Sequence, residues 1–453
     1  MPQIHHLDLV IIGTGAGGSG AAYRCRRAGW RVAIVDDLPF GGTCALRGCD
    51  PKKVLVGAAD LVAWSGRMQG HGVSGKSAID WPALMRFKRS FTDPVPAARL
   101  AGFQRAGIVP FQGEARFLSP DRLAVGDETL ESRHFLIAAG ARPRPLRISG
   151  DSHLITSTEF LELDRLPKRI AFVGGGYVSF EFAHVSQRAG AQAVILSRGA
   201  PLERFDQDLV GRLVRHTREI GVEVRTDSEV VGIEREGGRY RVLLEAAEGP
   251  DAVEADLVVH GAGRVPHTEK LELGKANVAT DAEGGVVVNQ FLQSVSNPRV
   301  YAAGDAARPP GSLPLTPVAA YESVLVASNL LEGNSRTPDY RGIPSVVFTI
   351  PPLAGVGLTE VEARRERHEV RIKSEDTSSW YSHRRVNETC AMFKTIVEQG
   401  SDRILGAHLL GTHAEEVINL FALAIRQGLS ATAIKHQLYA YPTSGADLPY
   451  MLS

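Results

Sequence analysis

Apolar residues in the first forty positions fall into two short runs. "LDLVIIGTG" carries Leu9–Ile12 into Gly13, and "WRVAIVDD" carries Val32–Val35 into Asp36. Unbroken apolar runs of this length, ended by glycine or acid, read as strands covered on both faces. Between them, small residues and then polar ones at helical spacing read as a helix. The order returns in "RIAFVGGGYVSFEFAHVSQRAGAQAVILSR" at 169–198, where a shift of 161 carries Gly13 to Gly174, Gly15 to Gly176, Gly18 to Ser179 and Ala28-Gly29 to Ala189-Gly190. Farther on, "VVHGAGRVPHTEKLEL" (258–273) predicts a strand ending in a Gly-Arg turn, and "NPRVYAAGDAARPPG" (297–311) a buried strand ending at Gly304-Asp305. From 340 onward the runs give way to short strands and helices, which predicts a further domain, with "LLEGNSRTPDY" before it as linker.

A strand, Gly-x-Gly-x-x-Gly, a helix and a second strand ending in an acid make the dinucleotide-binding βαβ fingerprint. Its glycines let a pyrophosphate approach the backbone at a helix N-terminus, and the acid takes a ribose hydroxyl. Gly13, Gly15, Gly18 and Asp36 are the first set, and Gly174 and Gly176 belong to the second. At the position of Asp36 the second unit has Ser197, followed by Arg198 and, six residues on, Arg204. An acid there would repel a 2′-phosphate and an arginine can bind one bidentately, so the second unit reads as built for NADP rather than NAD. The alternative is that both arginines are solvated surface charges. Asp305, just past a glycine at a strand end, suits a polyhydroxyl chain.

Length and charge narrow the class. With 453 residues, 43% of them hydrophobic, the chain can bury several cores, so two or three domains are expected. The balance of 51 basic against 51 acidic residues gives no footprint for nucleic acid or an anionic membrane. The start has no basic n-region or cleavage site and no later stretch is apolar for 18 residues, so a cytoplasmic protein is expected. Four cysteines (Cys25, Cys44, Cys49 and Cys390) are too few for a secreted disulfide framework.

Two of the four stand five positions apart in "GGTCALRGCDPKK" (41–53). A close pair in a reduced compartment is catalytic or metal-binding more often than structural. Zinc would want two more ligands nearby, and the nearest downstream histidine is His71, so no metal is expected. Cys25, inside the first helix, and Cys390, in a predicted strand, read as buried apolar filler.

These motifs together resemble the class I pyridine nucleotide-disulfide oxidoreductases, the family of glutathione reductase, dihydrolipoamide dehydrogenase and mercuric reductase. The resemblance runs end to end: "GGTCxxxGCxPKK", "FLIAAGARPRP" (135–145), "GGGYVSFEFA" (174–183), "GAGRVP" (261–266), "VYAAGD" (300–305), "LTPVA" (315–319) and "PSVVFTIPPLAGVGLTE" (344–360). It implies an α/β protein with two Rossmann-like dinucleotide-binding domains and a C-terminal α+β domain that forms a homodimer. The domains would be FAD-binding at 1–148 and 270–336, NAD(P)H-binding at 149–269, and interface at 340–453. It places FAD at Gly13, Gly15, Gly18, Asp36, Gly42, Thr43, Lys52, Ala115, Gly140, Gly304, Asp305 and Thr316. Nicotinamide nucleotide falls to Gly174, Gly176, Tyr177, Arg198, Arg204, Gly263 and Arg264, with NADH the less favoured form. Cys44 becomes the interchange thiol facing substrate and Cys49 the thiol against the flavin. A helix N-terminus beside them would lower a thiol pKa from ~8.5 toward neutrality. Lys52 and Glu181 become a pair that keeps a positive charge near the flavin's reacting nitrogen.

The chain also departs from the family. Where the family ends "HPTSSEE", this chain reads "YPTSGAD" at 441–447, with Tyr441 for the histidine, Ala446 for the first glutamate and Asp447 for the second. A phenol is a poor base at neutral pH, so substrates that release an already acidic thiol, or none, are favoured. Tyr441 reads equally as packed interface or as a substrate gate, and His436 as a helix-packing residue. The C-terminal cysteine pair of mercuric reductases is missing from "DLPYMLS", and Tyr23 and Val324 stand where glutathione reductases carry anchoring arginines. Asp50 replaces an apolar residue, and the sequence leaves open whether its carboxylate opposes the thiols or points away. The expectation is an FAD-dependent NADPH oxidoreductase that passes electrons through Cys44–Cys49 to a small acceptor other than glutathione. The alternatives are a quinone or metal-ion reductase working at the flavin, and a redox sensor binding a partner.

Overall fold

A computed structural model describes residues 3–247 and 249–452 and divides the chain into two compact units. The first comprises Met1–Lys52, Phe87–Arg144 and Arg264–Tyr340, and the second Lys53–Arg86, Pro145–Gly263 and Arg341–Ser453.

In the first unit both apolar runs are strands, Ile4–Ile12 and Val32–Asp36, joined by the helix Ala16–Arg27. They pair in parallel, Leu9 with Val32 through Ile12 with Val35. Val109–Gln112 extends the sheet beyond Val32–Asp36. On the other side Ile4–Ile12 pairs with Glu128–Ile137. That long strand divides its far edge: its start pairs antiparallel with Arg122–Val125, and its end pairs parallel with Val300–Ala302. Connections leave Ile4–Ile12 in one direction and Glu128–Ile137 in the other, so the cleft at their carboxyl ends is a topological switch point, where such sheets bind ligands. Leu9, Val10 and Ile11 are wholly buried, as the run requires. Each large apolar side chain so covered contributes roughly 1.5–3 kcal/mol.

The second unit repeats the arrangement. Its parallel strands run Glu223–Arg225, Gln192–Leu196, Arg169–Val173 and Leu257–His260 in spatial order, with the helix Tyr177–Arg188 after the central one. An antiparallel meander, Ser228–Glu236, Arg239–Ala246 and Gly249–Ala255, follows in sequence. The same unit contains a five-stranded antiparallel sheet ordered Ser345–Val347, Leu353–Gly357, Ile404–Leu410, Met392–Glu398 and Val370–Asp376. The helix Ala414–Gln427 covers that sheet with Val417, Ile418 and Phe421. Leu420 and Leu423, on its other side, are exposed. No helix among the described residues is long and apolar enough to cross a membrane.

The stretch read as linker ends where the chain passes from the first unit to the second, at Tyr340, and is an ordered one: buried Asn329 accepts the amides of Ser335 and Arg336 and donates to the Arg336 carbonyl. Two local expectations change. Cys390 is buried but precedes the strand Met392–Glu398, because Glu388 turns back to accept its amide. His436 is exposed at the C-cap of the short helix Ala431–Lys435, so it is not the packing residue expected.

Candidate active site

The first glycine turn leaves the strand at Gly13, whose amide donates to the Val35 carbonyl and whose φ of +109° disfavours a side chain. A Cβ at Gly13 would lie 2.2 Å from the Ala138 carbonyl oxygen, and one at Gly18 would lie 2.2 Å from that of Gly13. Gly42 approaches from the other side, where a Cβ would stand 2.4 Å from the Gly15 Cα. This side-chain-free backbone at the start of the helix Ala16–Arg27 fits a dinucleotide pyrophosphate. Asp36 is buried at the end of its strand; its Oδ2 accepts the Thr14 amide (2.8 Å) and hydroxyl (2.5 Å), and Oδ1 accepts the Leu38 amide (3.1 Å). The Thr14 hydroxyl in turn accepts the Gly41 amide at 2.9 Å, tying the acid to the Gly41-Gly42 loop.

Across the sheet, the strand Val300–Ala302 delivers Gly304 and Asp305 to the same carboxyl edge. Burial raises the Asp305 carboxyl above its usual range, and the Arg264 charge opposes that rise. The turn is held by Glu322, which sequence reading missed. Its buried carboxylate accepts the Gly304 amide at 2.6 Å, the Ser312 hydroxyl at 2.9 Å and the Tyr340 hydroxyl at 2.6 Å. Glu322 lies in the helix Thr316–Glu332, whose first residue reaches the thiols. A glutamate in the interior of a mostly apolar helix was the available signal. Ala115 is buried at the start of the strand Ala115–Ser119, and Gly140 takes φ +70°.

The two cysteines belong to consecutive helices, Gly42–Arg47 and Cys49–Arg67, separated only by Gly48. The break at Gly48 starts a new helix at Cys49, and each thiol acts on the ionisation of the other. Thr316 brings its hydroxyl within 3.6 Å of the Cys49 sulfur from 267 residues away. The Cys49 thiol is lowered from 9.0 to about 6, first by the Cys44 hydrogen bond, then by Thr316 and the Lys52 charge, against burial and Asp50. The same hydrogen bond pushes the Cys44 thiol up, with burial and Asp50 adding to it. Asp50 points toward the thiols: its Oδ1 lies 3.8 Å from the Cys44 sulfur. Both sulfurs are accessible, Cys44 partly and Cys49 freely, whereas Cys25 and Cys390 are buried and burial raises both thiols, Cys25 to about 12.

In the second unit Gly174 repeats the φ of +109°, and its amide donates to the Leu196 carbonyl. The segment after Ser197 folds over the turn: the Leu202 amide donates to the Gly175 carbonyl, and a Cβ at Gly175 would meet Ser197 Oγ at 2.2 Å. Arg198 and Arg204 are exposed on this segment. Arg198 makes one long contact, 3.4 Å, to exposed Glu229. Tyr177 is half exposed at the first position of its helix, and Gly263 takes φ +98°. Glu181 is wholly buried and accepts the Phe348 amide at 2.8 Å. Lys52 falls in the first unit and Glu181 in the second. Tyr441 is 82% exposed. Tyr23 stacks on Phe103 with ring centroids 5.4 Å apart, so no guanidinium serves that position.

A family profile described as pyridine nucleotide-disulphide oxidoreductase matches residues 7–323, and one for the dimerisation domain of that family matches 343–451. A glutathione reductase from Burkholderia cepacia is 34% identical, covering 97% of both chains. A mercuric reductase from Streptomyces lividans is 33% identical over 97% of this chain and 94% of its own. Among solved structures, the Cu(II) complex of the HOCl-induced flavoprotein disulfide reductase RclA from Escherichia coli superposes with a TM-score of 0.88 at 26% identity, covering 99% of each chain.

Proposed function

The chain belongs to the pyridine nucleotide-disulphide oxidoreductases, and on that premise we propose that it is an FAD-dependent, NADPH-driven reductase whose Cys44–Cys49 pair reduces a small disulfide other than glutathione. The observation that carries this reading is the pair of accessible thiols on consecutive helices, with the Thr316 hydroxyl 3.6 Å from the Cys49 sulfur and the Asp50 carboxylate 3.8 Å from that of Cys44. FAD, when bound, supplies the route by which a nicotinamide hydride becomes an electron pair at the sulfurs. Gly13, Gly15, Gly18, Gly42 and Thr43 would hold its pyrophosphate, Asp36 and Asp305 its hydroxyls, and Ala115, Gly140, Gly304 and Thr316 its flanks. Arg198 and Arg204 would bind the 2′-phosphate of NADPH beside Gly174, Gly176 and Tyr177, with Gly263 and Arg264 at the nicotinamide end.

The protein's own residues do the sulfur chemistry. Cys44 attacks a substrate disulfide, and Cys49, kept as thiolate by Thr316 and Lys52, then attacks Cys44 to close the intramolecular disulfide. Tyr441 in place of a histidine argues for acceptors that need no imidazole acid. Exposed Leu420 and Leu423 within the matched dimerisation region support a homodimer.

The test is thiol trapping of the air-oxidised holoenzyme. With NADPH under anaerobic conditions, Cys44 and Cys49 should both become alkylated, and neither should be without it. Protein in which dithiothreitol exposes the pair but neither NADPH nor NADH does would end the proposal. The likeness to a flavoprotein crystallised with Cu(II) favours a second acceptor, Cu(II) itself, reduced to Cu(I) at the expense of NADPH. Cu(I)-chelator absorbance, compared between the natural protein and Cys44→Ser, separates the two.

A further inference from the structure

The proposed disulfide chemistry needs a proton to leave Cys44 as it attacks and to reach the departing thiolate. Tyr441 stands where the resemblance places the group for that task and is exposed, Ala446 cannot carry a proton, and Asp447 accepts the Ser382 hydroxyl at 2.5 Å. Asp50 is the group that reaches Cys44, with 3.8 Å between Oδ1 and Sγ. It lies in the first turn of the 19-residue helix Cys49–Arg67. The other charged or titratable groups acting on the sulfurs are Lys52 and the sulfurs themselves.

We propose that Asp50 is the proton relay of the interchange thiol, a task this chain has moved from its C-terminal segment to the residue after Cys49. The proposal rests on the dithiol reading above. The reduced pair starts as Cys44 thiol and Cys49 thiolate. As the Cys44 sulfur bonds to one sulfur of RSSR and the S–S bond breaks, the Asp50 carboxylate takes the Cys44 proton and delivers it to the departing sulfur, giving RSH and a Cys44–SR mixed disulfide. Cys49 thiolate then attacks Cys44, forming the Cys44–Cys49 disulfide and expelling RS⁻. Two electrons pass from the pair to RSSR, and the carboxylate ends as it began.

A carboxylate that merely sits near the thiols predicts the opposite sign. Removing it would ease formation of the Cys44 thiolate and speed attack on every disulfide. The experiment is single-turnover reaction of dithiothreitol-reduced holoenzyme with two reagents. Bis(2-hydroxyethyl) disulfide releases a basic thiolate that needs a proton, and 5,5′-dithiobis(2-nitrobenzoate) releases an acidic one that does not. Asp50→Asn should slow the first roughly 10²-fold while leaving the second unchanged or faster, and Asp50→Glu should restore most of the first. An equal change with both reagents, or acceleration of both, overturns the relay. Should Asp50→Asn fail to fold, the natural protein still decides: across alkyl and aryl disulfides its rate should depend weakly on leaving-thiol acidity, and a steep dependence overturns the proposal. Since the pair is reduced chemically, failure of NADPH to reduce it would count against the proposed function and leave this result standing.

Discussion

The two glycine turns are built on one plan and differ where size and charge matter. Gly13 and Gly174 share φ +109°, and Gly29 and Gly190, which end the following helices, share +92°. The amides of Ala138 and Gly261, each one residue past the neighbouring strand, donate to the carbonyls of Ile12 and Val173. At the third fingerprint position the first turn has Gly18 with Ala138 beside the turn, and the second has Ser179 with Gly261. Ser179 is wholly buried, and a Cβ on Gly261 would lie 2.1 Å from its Oγ. At the second turn, therefore, a glycine beside the turn makes room for a side chain at the third fingerprint position. The charge difference is of another kind: Asp36 is buried and committed to Thr14 and Leu38, whereas Arg198 and Arg204 stand in solvent. One turn fixes its acid by hydrogen bonds, and the other leaves its cations exposed.

Breaking a turn outright should have the largest effect. Gly13→Ala forces a side chain into positive φ and against a carbonyl at 2.2 Å, so loss of soluble, flavin-retaining protein is expected, read from the flavin-to-protein absorbance ratio. Next comes the thiol pair, which has no counterpart at the second turn. In reduced protein the Cys49 thiolate should persist down to about pH 6 rather than 9.0, followed by thiolate absorbance, and Cys44→Ala should move that midpoint upward. A thiol whose pKa is depressed on folding contributes stability that is fully present above its unfolded value and is lost as pH falls through about 6. Unfolding of the reduced protein by denaturant at pH 8 and pH 5 checks the sign.

The arginines should show a smaller but selective effect. Charge-assisted hydrogen bonds contribute ~1.5–3 kcal/mol, so Arg198→Ala and Arg204→Ala should each weaken 2′,5′-ADP binding about 10- to 100-fold. Binding of 5′-ADP should hardly change, and equal losses for both ligands would return the arginines to solvated surface charge. Smallest is the volume swap. Gly261→Ala should destabilise by roughly 1–3 kcal/mol, and Ser179→Gly added to it should recover much of that. A double-mutant cycle in urea with no coupling would show that the two positions do not share space.

Much of this was legible because local patterns have local causes. Apolar runs ended by glycine became the parallel strands, and the recurrence at a distance of 161 residues became a second sheet with the same backbone angles. Other features were not legible because their partners are remote in sequence. Glu322 holds Gly304 from within an apolar helix, Asn329 converts a linker-like stretch into fixed structure, and Thr316 meets Cys49 across 267 residues. Nothing in "GCDPKK" says which way a carboxylate points; the break at Gly48 and the start of a new helix at Cys49 decide that.

Sequence alone therefore determined the parallel strands and the family, because strand burial and glycine backbone freedom are written residue by residue. Tertiary structure decided that Thr316 meets Cys49 and that Asp50 faces Cys44. Hydrogen bonds and Coulomb forces act over a few ångströms of space, whatever the separation along the chain.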